Sequence, residues 1–140
     1  MPKPSSQTAF TADSLMQLPA PGDLARWGGL HGDSLVLALA LAAGNARPLV
    51  IVTPDTQSAE RLQQNLDFFT AGNEQPRLSF PDWETLPYDA FSPHQDIVSQ
   101  RVACLYRLPE LHHGVLILPI ATLLQRVAPR DYLTQSSLLL

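Results

Sequence analysis

A chain of 140 residues with 45% hydrophobic residues is long enough to form one compact domain with its own core. Its formal net charge of -4 gives no overall positive field, which argues against strong autonomous binding to the phosphate backbone of DNA. The single cysteine, Cys104, excludes an internal disulfide, and the N-terminus carries no signal-peptide pattern, so the composition favours a cytoplasmic protein.

The N-terminal part predicts little regular structure. Residues 1–11 are rich in proline, serine and other polar residues and indicate a flexible leader. A short helix is predicted over residues 11–18, ended by Pro19 and Pro21. From His31 onward, helical stretches alternate with short β-branched runs, which predicts an α/β fold with a parallel sheet.

The first regular element is an apolar helix. Residues 35–43 are apolar on all faces and predict a helix buried against the sheet, closed by Gly44 and Asn45. This stretch is about half of the roughly 20 residues that a membrane span requires. Residues 48–54 then predict a central strand bounded by prolines.

An amphipathic helix is predicted next, capped by Asp55 or Thr56, covering one face of the sheet and ending at Gly72. Its apolar positions are Ala59, Leu62, Leu66 and Phe69. A short strand over residues 77–80 and a long proline-containing loop over residues 81–94 follow.

The last third repeats the alternation. Residues 96–108 have helical periodicity, residues 114–119 predict a second buried strand, and residues 120–127 predict a short helix before Pro129. The apolar run at residues 136–140 predicts a strand that continues into a longer protein.

The segment before the apolar helix lies where a P-loop protein carries its phosphate-binding sequence. Aligned on Gly32, Ser34 takes the place of the magnesium-binding hydroxyl, but Asp33 replaces the lysine and Trp27 replaces the first glycine. A carboxylate near nucleotide phosphates replaces attraction with repulsion, although the helix N-terminus still offers backbone N–H groups. We therefore expect a degenerate nucleotide site, with a residual anion site as the alternative.

The most distinctive string is FPDWETLPYDAFSPHQDI at residues 80–97, running into Arg101 and Leu105-Tyr106. It closely resembles a stretch of bacterial transcription-repair coupling factors, the Mfd proteins. Residues 49–55 and 115–127 are similar to strand–helix pairs of UvrB and related helicases. The resemblance covers about residues 12–140; it implies a UvrB-like domain 1a over residues 12–133 and the truncated start of a UvrA-binding insertion domain over residues 134–140.

The resemblance implies a RecA-like (P-loop NTPase-type) sheet and a parent protein that releases RNA polymerase stalled at DNA lesions and recruits UvrA for nucleotide excision repair. It places ATP and Mg, together with double-stranded DNA translocation, in a motor downstream of this chain. For this chain it implies a scaffold without catalytic residues, cofactor or metal, docked on other domains of the parent. UvrA would bind mainly the following insertion domain. A damage-probing hairpin of the UvrB kind has no room between Trp83 and Asp96.

The candidate interaction residues carried by this motif are Trp83, Glu84, Pro87, Tyr88, Asp89, Ser92, Pro93, His94, Asp96 and Arg101. Its aromatic side chains Trp83, Tyr88 and Phe91 either bind a partner or, more simply, anchor the loop on the sheet edge. Its acids favour caps and loop hydrogen bonds over catalysis or metal binding, because they lack a histidine or cysteine cluster with ligand spacing.

Several single residues have simple structural interpretations. His94 is expected to orient the start of the following helix, and Cys104 to be a buried thiol. The arginines are either ordinary surface charge or a face toward DNA or a neighbouring domain; they are Arg101, Arg107, Arg126 and Arg130. The competing function is a P-loop hydrolase or nuclease with an unconventional nucleotide site, which Asp33 and the missing lysine disfavour.

Overall fold

The computed structural model describes residues 19–44, 47–70, 75–85, 90 and 92–136, with side chains up to residue 133. The predicted leader, the predicted helix over residues 11–18 and the strand predicted at the C-terminal end from residue 137 onward lie outside this part. So do the side chains proposed at Pro87, Tyr88, Asp89 and Phe91.

Helices and strands alternate along the described chain, as the sequence predicts. The helices are α1 (Asp33–Ala43), α2 (Thr56–Phe69), α3 (Gln95–Arg107) and α4 (Arg130–Ser136), and the strands are β1 (Leu49–Thr53), β2 (Arg77–Ser79) and β3 (Val115–Pro119). Two 3-10 helices, Leu108–Glu110 and Ile120–Leu124, flank β3. Among the described residues, every helix is too short or too polar to cross a membrane.

The three strands form a parallel sheet in the order β1-β3-β2, which confirms the predicted α/β class. Val115 is paired with Leu49 on one side and with Arg77 on the other. The prediction that residues 48–54 form a central strand is wrong for the part of the sheet that the structure describes, because β3 takes that position and β1 lies at an edge. Val50 and Val52 of β1 are accordingly 55% and 45% exposed, whereas every residue of β3 is buried.

One face of the sheet carries the larger core. Leu62 and Leu66 of α2 pack with Val115 and Ile117 of β3, so α2 is the predicted cover of this face. Helix α1 packs against α2 through residues that include Val36. Helix α1 is less buried than the sequence predicts, since Leu35 and Leu37 are 43% and 44% exposed.

The opposite face is covered by α3. Cys104 of α3 packs with Leu78 and Phe80 from the β2 region and with Leu116 and Leu118 of β3. Val50 and Val52 are register partners of Leu116 and Leu118 and so point to this same face. Because α3 packs on β2, the β1 part of the face stays open.

The ends of α2 follow from local hydrogen bonds. The Asp55 side chain accepts a 2.7 Å bond from the Ser58 N–H, which confirms the predicted cap and lowers the pKa of the Asp55 carboxyl. The last helical residue is Phe69, before the predicted end at Gly72, and Thr70 is the C-cap residue, whose hydroxyl donates to the Leu66 carbonyl. Ala59, Leu62 and Leu66 are buried as predicted, but Phe69 at the last turn is 37% exposed.

The C-terminal part differs from the sequence-based expectation in two places. The helix predicted over residues 120–127 is a 3-10 helix that ends at Leu124, where the side chain is 88% exposed. Helix α4, which the sequence did not predict, packs against α3 and buries Leu133. The domain boundary proposed at residue 134 therefore falls inside α4, and Ser136 is helical rather than the start of a strand.

Candidate functional site

The family-like string begins where β2 ends. Phe80 continues the edge of β2, since its N–H donates a 2.9 Å bond to the Ile117 carbonyl of β3. Its ring is 6% exposed, so the chain leaves the sheet from a buried anchor. Residues 81–85 then cross the carboxyl end of the sheet toward α3, and the Trp83 ring is half-buried on the way.

Arg101 of α3 contacts this loop through its guanidinium group. Its side chain is buried at 2% exposure, and its guanidinium carbon lies 4.1 Å from the ring centroids of both Phe80 and Trp83. One guanidinium nitrogen donates a 2.5 Å hydrogen bond to the Pro81 carbonyl. A buried cation is costly unless it is compensated, and here two π-faces and a carbonyl compensate it. Burial lowers the pKa of Arg101, while the nearby Asp82 carboxylate opposes that shift.

Asp82 connects the loop to a second element. One of its carboxylate oxygens accepts a 2.8 Å bond from the Trp83 N–H and a 2.5 Å bond from the Gln125 side-chain amide. Gln125 follows the 3-10 helix after β3, so the loop is hydrogen-bonded both to α3, which precedes β3 in the chain, and to the segment that follows β3. The other amide atom of Gln125, Oε1, is buried without a hydrogen-bond partner among the described residues. We call Phe80, Pro81, Asp82, Trp83, Arg101 and Gln125 the Arg101 cluster.

The motif residues that the structure describes separate into two groups. Trp83 and Arg101 meet in the Arg101 cluster, whereas Ser92, Pro93, His94 and Asp96 lie at the start of α3. His94 is the N-cap residue of α3, and its Nδ1 accepts a 3.3 Å bond from the Asp96 N–H, as predicted. Glu84, on the exposed side of the loop, has a φ of 59°, an uncommon conformation for a residue with a side chain.

Sequence reasoning was wrong about the surroundings of Arg101 and missed two of its neighbours. The sequence predicts Arg101, Arg107, Arg126 and Arg130 as surface charge or as one basic face, but Arg101 is buried while the other three are exposed. Phe80 was assigned to a strand end without a role, although a large ring at that place is a signal for an anchor. Gln125 gave no signal, because its bond to Asp82 joins positions 43 residues apart.

Cys104 lies one helical turn beyond Arg101 and faces the same core. Its side chain is 4% exposed, which confirms the predicted buried thiol. Burial raises the pKa of Cys104 to about 11, although Arg101 and Arg107 act in the opposite direction. The thiol is therefore protonated at neutral pH and unsuited to nucleophilic chemistry.

The segment aligned with a P-loop lies at the other end of the described chain. Gly32 is the N-cap of α1 with a φ of 55°, and Asp33 is the first helical residue. The Ser34 hydroxyl donates a 2.7 Å bond to the His31 carbonyl, so it closes the local turn. Residues 19–32 contain no strand that leads into this turn. Within the described ranges, no group of three or more His, Cys, Asp or Glu residues is placed to hold a metal ion.

The family assignment comes from sequence comparison. No protein-family model matches the chain. The transcription-repair-coupling factor of Escherichia coli (strain K12) is 48% identical to it over 97 residues, which cover 69% of this chain and 8% of that protein. The chain is homologous to transcription-repair coupling factors. The resemblance read from the string at residues 80–97 is thereby confirmed.

Other transcription-repair-coupling factors agree. The protein of Haemophilus influenzae (strain ATCC 51907 / DSM 11121 / KW20 / Rd) is 43% identical over 111 residues, covering 79% of this chain and 9% of that protein. The protein of Myxococcus xanthus is 35% identical over 114 residues, covering 77% of this chain and 10% of that protein. The chain thus spans about a tenth or less of the length of the curated relatives it matches.

Proposed function

We propose that this chain is a non-catalytic scaffold segment of a transcription-repair coupling factor, equivalent to its UvrB-like domain 1a. The observation that carries the proposal is the 48% identity over 97 residues to a protein of that name. The parent protein would release RNA polymerase stalled at DNA lesions and recruit UvrA for nucleotide excision repair. Its ATP-driven movement on double-stranded DNA would reside in other parts of the parent.

The Arg101 cluster supports a scaffold role because its charged side chains interact with other residues of the same cluster. The guanidinium of Arg101 is engaged by Phe80, Trp83 and the Pro81 carbonyl. The Asp82 carboxylate is engaged by Trp83 and Gln125. A general acid or base must reach a substrate, whereas these groups tie a loop to the sheet. Trp83 and Arg101 of the motif therefore fix the loop at the carboxyl end of the sheet.

The same proposal includes a RecA-like fold whose nucleotide site has degenerated. The parallel sheet with helices on both faces supports the fold, and Asp33 at the first helical position of α1 supports the loss of the site. Asp33 would place a negative charge where a P-loop lysine contacts the phosphates.

The experiment that tests the scaffold role is capture of purified UvrA. The 140-residue chain and a version extended through the following insertion domain are immobilised in equal amounts and exposed to UvrA. We expect the extended version to retain UvrA and the shorter one to retain no more than bare resin. Strong retention by the shorter chain would show that the recruiting surface lies here, and no retention by either would contradict the assignment to the recruiting module.

A further inference from the structure

A groove runs along the outer edge of β2, between α2 on one face of the sheet and α3 on the other. It has a volume of about 700 Å³, and Arg77, Leu78 and Ser79 form its floor. Among the described residues, β2 pairs with β3 alone, so its outer edge is open. We call this the β2-edge groove.

The hydrogen bonds of β2 show which backbone groups face the groove. The Pro76 carbonyl accepts from the Val115 N–H and the Phe80 N–H donates to the Ile117 carbonyl, so positions 76 and 80 point toward β3. In a parallel ladder the N–H and C=O of one residue point to the same side, and the side alternates along the strand. The backbone groups of Arg77 and Ser79 therefore point into the groove, where an added strand would pair with them.

The walls leave room for such a strand. Ala59 of α2 and Ala103 of α3 are the smallest side chains that line the groove, one on each wall. A neighbouring strand would lie about 4.8 Å from β2. Gln63 and Gln100 also line the walls and can hydrogen-bond an incoming chain.

The charges of the groove are separated along its length. Helix α3 connects two parallel strands and so runs antiparallel to them, which places Arg107 at the end where β2 begins. Arg77 lies at that end too, although it is paired with Asp67 at 3.1 Å. Glu60 in the first half of α2 and Glu84 after β2 line the opposite end. Because Asp67 balances the charge of Arg77, one end carries the charge of Arg107, and the other end carries the two carboxylates of Glu60 and Glu84.

We propose that the β2-edge groove binds an extended segment of a partner protein, which adds to the sheet as a strand and carries an acidic residue at one end and a basic residue at the other. The acidic residue would lie beside Arg107 and the basic residue beside Glu60 and Glu84. The binding is of the strand-addition kind, in which main-chain bonds supply affinity and the end charges select direction. This site goes beyond the scaffold role proposed above and does not depend on UvrA.

The test uses two synthetic peptides with blocked ends and the same composition, Glu-Thr-Val-Thr-Val-Thr-Lys and Lys-Thr-Val-Thr-Val-Thr-Glu. Each is labelled and titrated with the 140-residue chain, and binding is followed by fluorescence anisotropy. We expect Glu-Thr-Val-Thr-Val-Thr-Lys to bind roughly tenfold more tightly than the reversed peptide, because it alone matches both charges when it adds parallel to β2, the direction that the other strands of the sheet share. Equal binding of the two peptides, or binding of neither, overturns the proposal.

Variants then locate the bound peptide. Arg107→Glu should reduce the preference between the peptides, whereas Arg126→Glu, an equal charge change at an exposed position outside the groove, should leave it unchanged. Ser79→Pro removes an N–H that points into the groove and spares the bonds to β3, so it should weaken binding. Ala103→Trp fills the groove from an exposed helix position, so it should also weaken binding of the peptide, and it does so without altering the strand.

Circular dichroism of each variant confirms that it is folded. The peptide does not bind in the β2-edge groove if folded Ala103→Trp binds it as tightly as the unmodified chain. The same conclusion follows if the two arginine substitutions change the preference between the peptides equally. Sedimentation of the chain alone detects dimers formed by pairing of two copies at the groove. A dimer that the peptides do not dissociate would also overturn the proposal.

Discussion

At the scale of single residues, Arg101 shows how a charge is kept inside a small domain. The guanidinium is flat, so its two faces can stack on the Phe80 and Trp83 rings while its edge donates to the Pro81 carbonyl. The arrangement joins α3 to the loop after β2. Without the cation, the Trp83 ring would lose the group that lies over it, and the Pro81 carbonyl would lose its hydrogen bond to α3.

We expect Arg101→Met to lower the free energy of unfolding by about 2–3 kcal/mol, since it removes two cation–π contacts and one charged hydrogen bond. Arg101→Lys should lose part of this, because an ammonium group keeps the charge but not the flat shape. Urea denaturation followed by tryptophan fluorescence measures both.

The matched control for Arg101 is Arg107→Met, an exposed arginine on the same helix. It should change stability by less than about 0.5 kcal/mol. Equal losses of unfolding free energy at the two positions would show that the stacking of Arg101 does not stabilise the fold.

At the scale of elements, the three strands are aligned at Gly114, directly before β3. The Gly114 carbonyl accepts a 2.8 Å bond from the Leu49 N–H of β1, and the next N–H, of Val115, donates to the Pro76 carbonyl beside β2. Gly114 has a φ of 99°, and a Cβ added there would come within 2.1 Å of the Pro76 carbonyl oxygen. A side chain at this position would therefore push β2 away from β3.

Gly114→Ala should lower the free energy of unfolding by at least about 2 kcal/mol, because it combines an unfavourable φ with a backbone clash. Thermal or urea denaturation measures the loss. Gly28→Ala is the control, since a Cβ at Gly28 meets no atom within 4 Å. A loss at position 114 no larger than that at position 28 would mean that the strands adjust to the added methyl group without cost.

At the scale of the whole molecule, the parallel sheet has helices on both faces, and the segment before α1 differs in sequence from a P-loop. A P-loop needs a strand, a glycine-rich turn and a lysine in sequence. Here residues 19–32 are irregular, Trp27 takes the place of the first glycine and Asp33 that of the lysine.

We therefore expect that calorimetric titration with Mg-ATP gives no saturable binding to the chain, and that Asp33→Lys does not create it. Asp131→Lys, the same charge change at an exposed acid in α4, serves as the control for nonspecific attraction. Micromolar binding by the unmodified chain would restore the enzyme interpretation. Binding gained by Asp33→Lys alone would show that charge is the only missing part.

The sequence by itself determined the fold class, most of the elements and the family. The apolar run at β1 lies between Pro48 and Pro54, the run at β3 follows Gly114 and ends on Pro119, and the string at residues 80–97 is long enough to be specific. The sequence also predicts Asp55 or Thr56 as the cap of α2 and His94 as the residue that orients the start of α3, because such bonds join groups only two or three residues apart.

Only the tertiary structure decided which strand is central and where Arg101 lies. The runs at β1 and β3 are similarly apolar, so local patterns do not order them; the order follows from how the crossovers pack. Arg101 is charged and suggested a surface position, but Phe80 and Trp83 enclose it once β2 and α3 meet. Such contacts join distant parts of the chain, and neither residue propensity nor spacing encodes them.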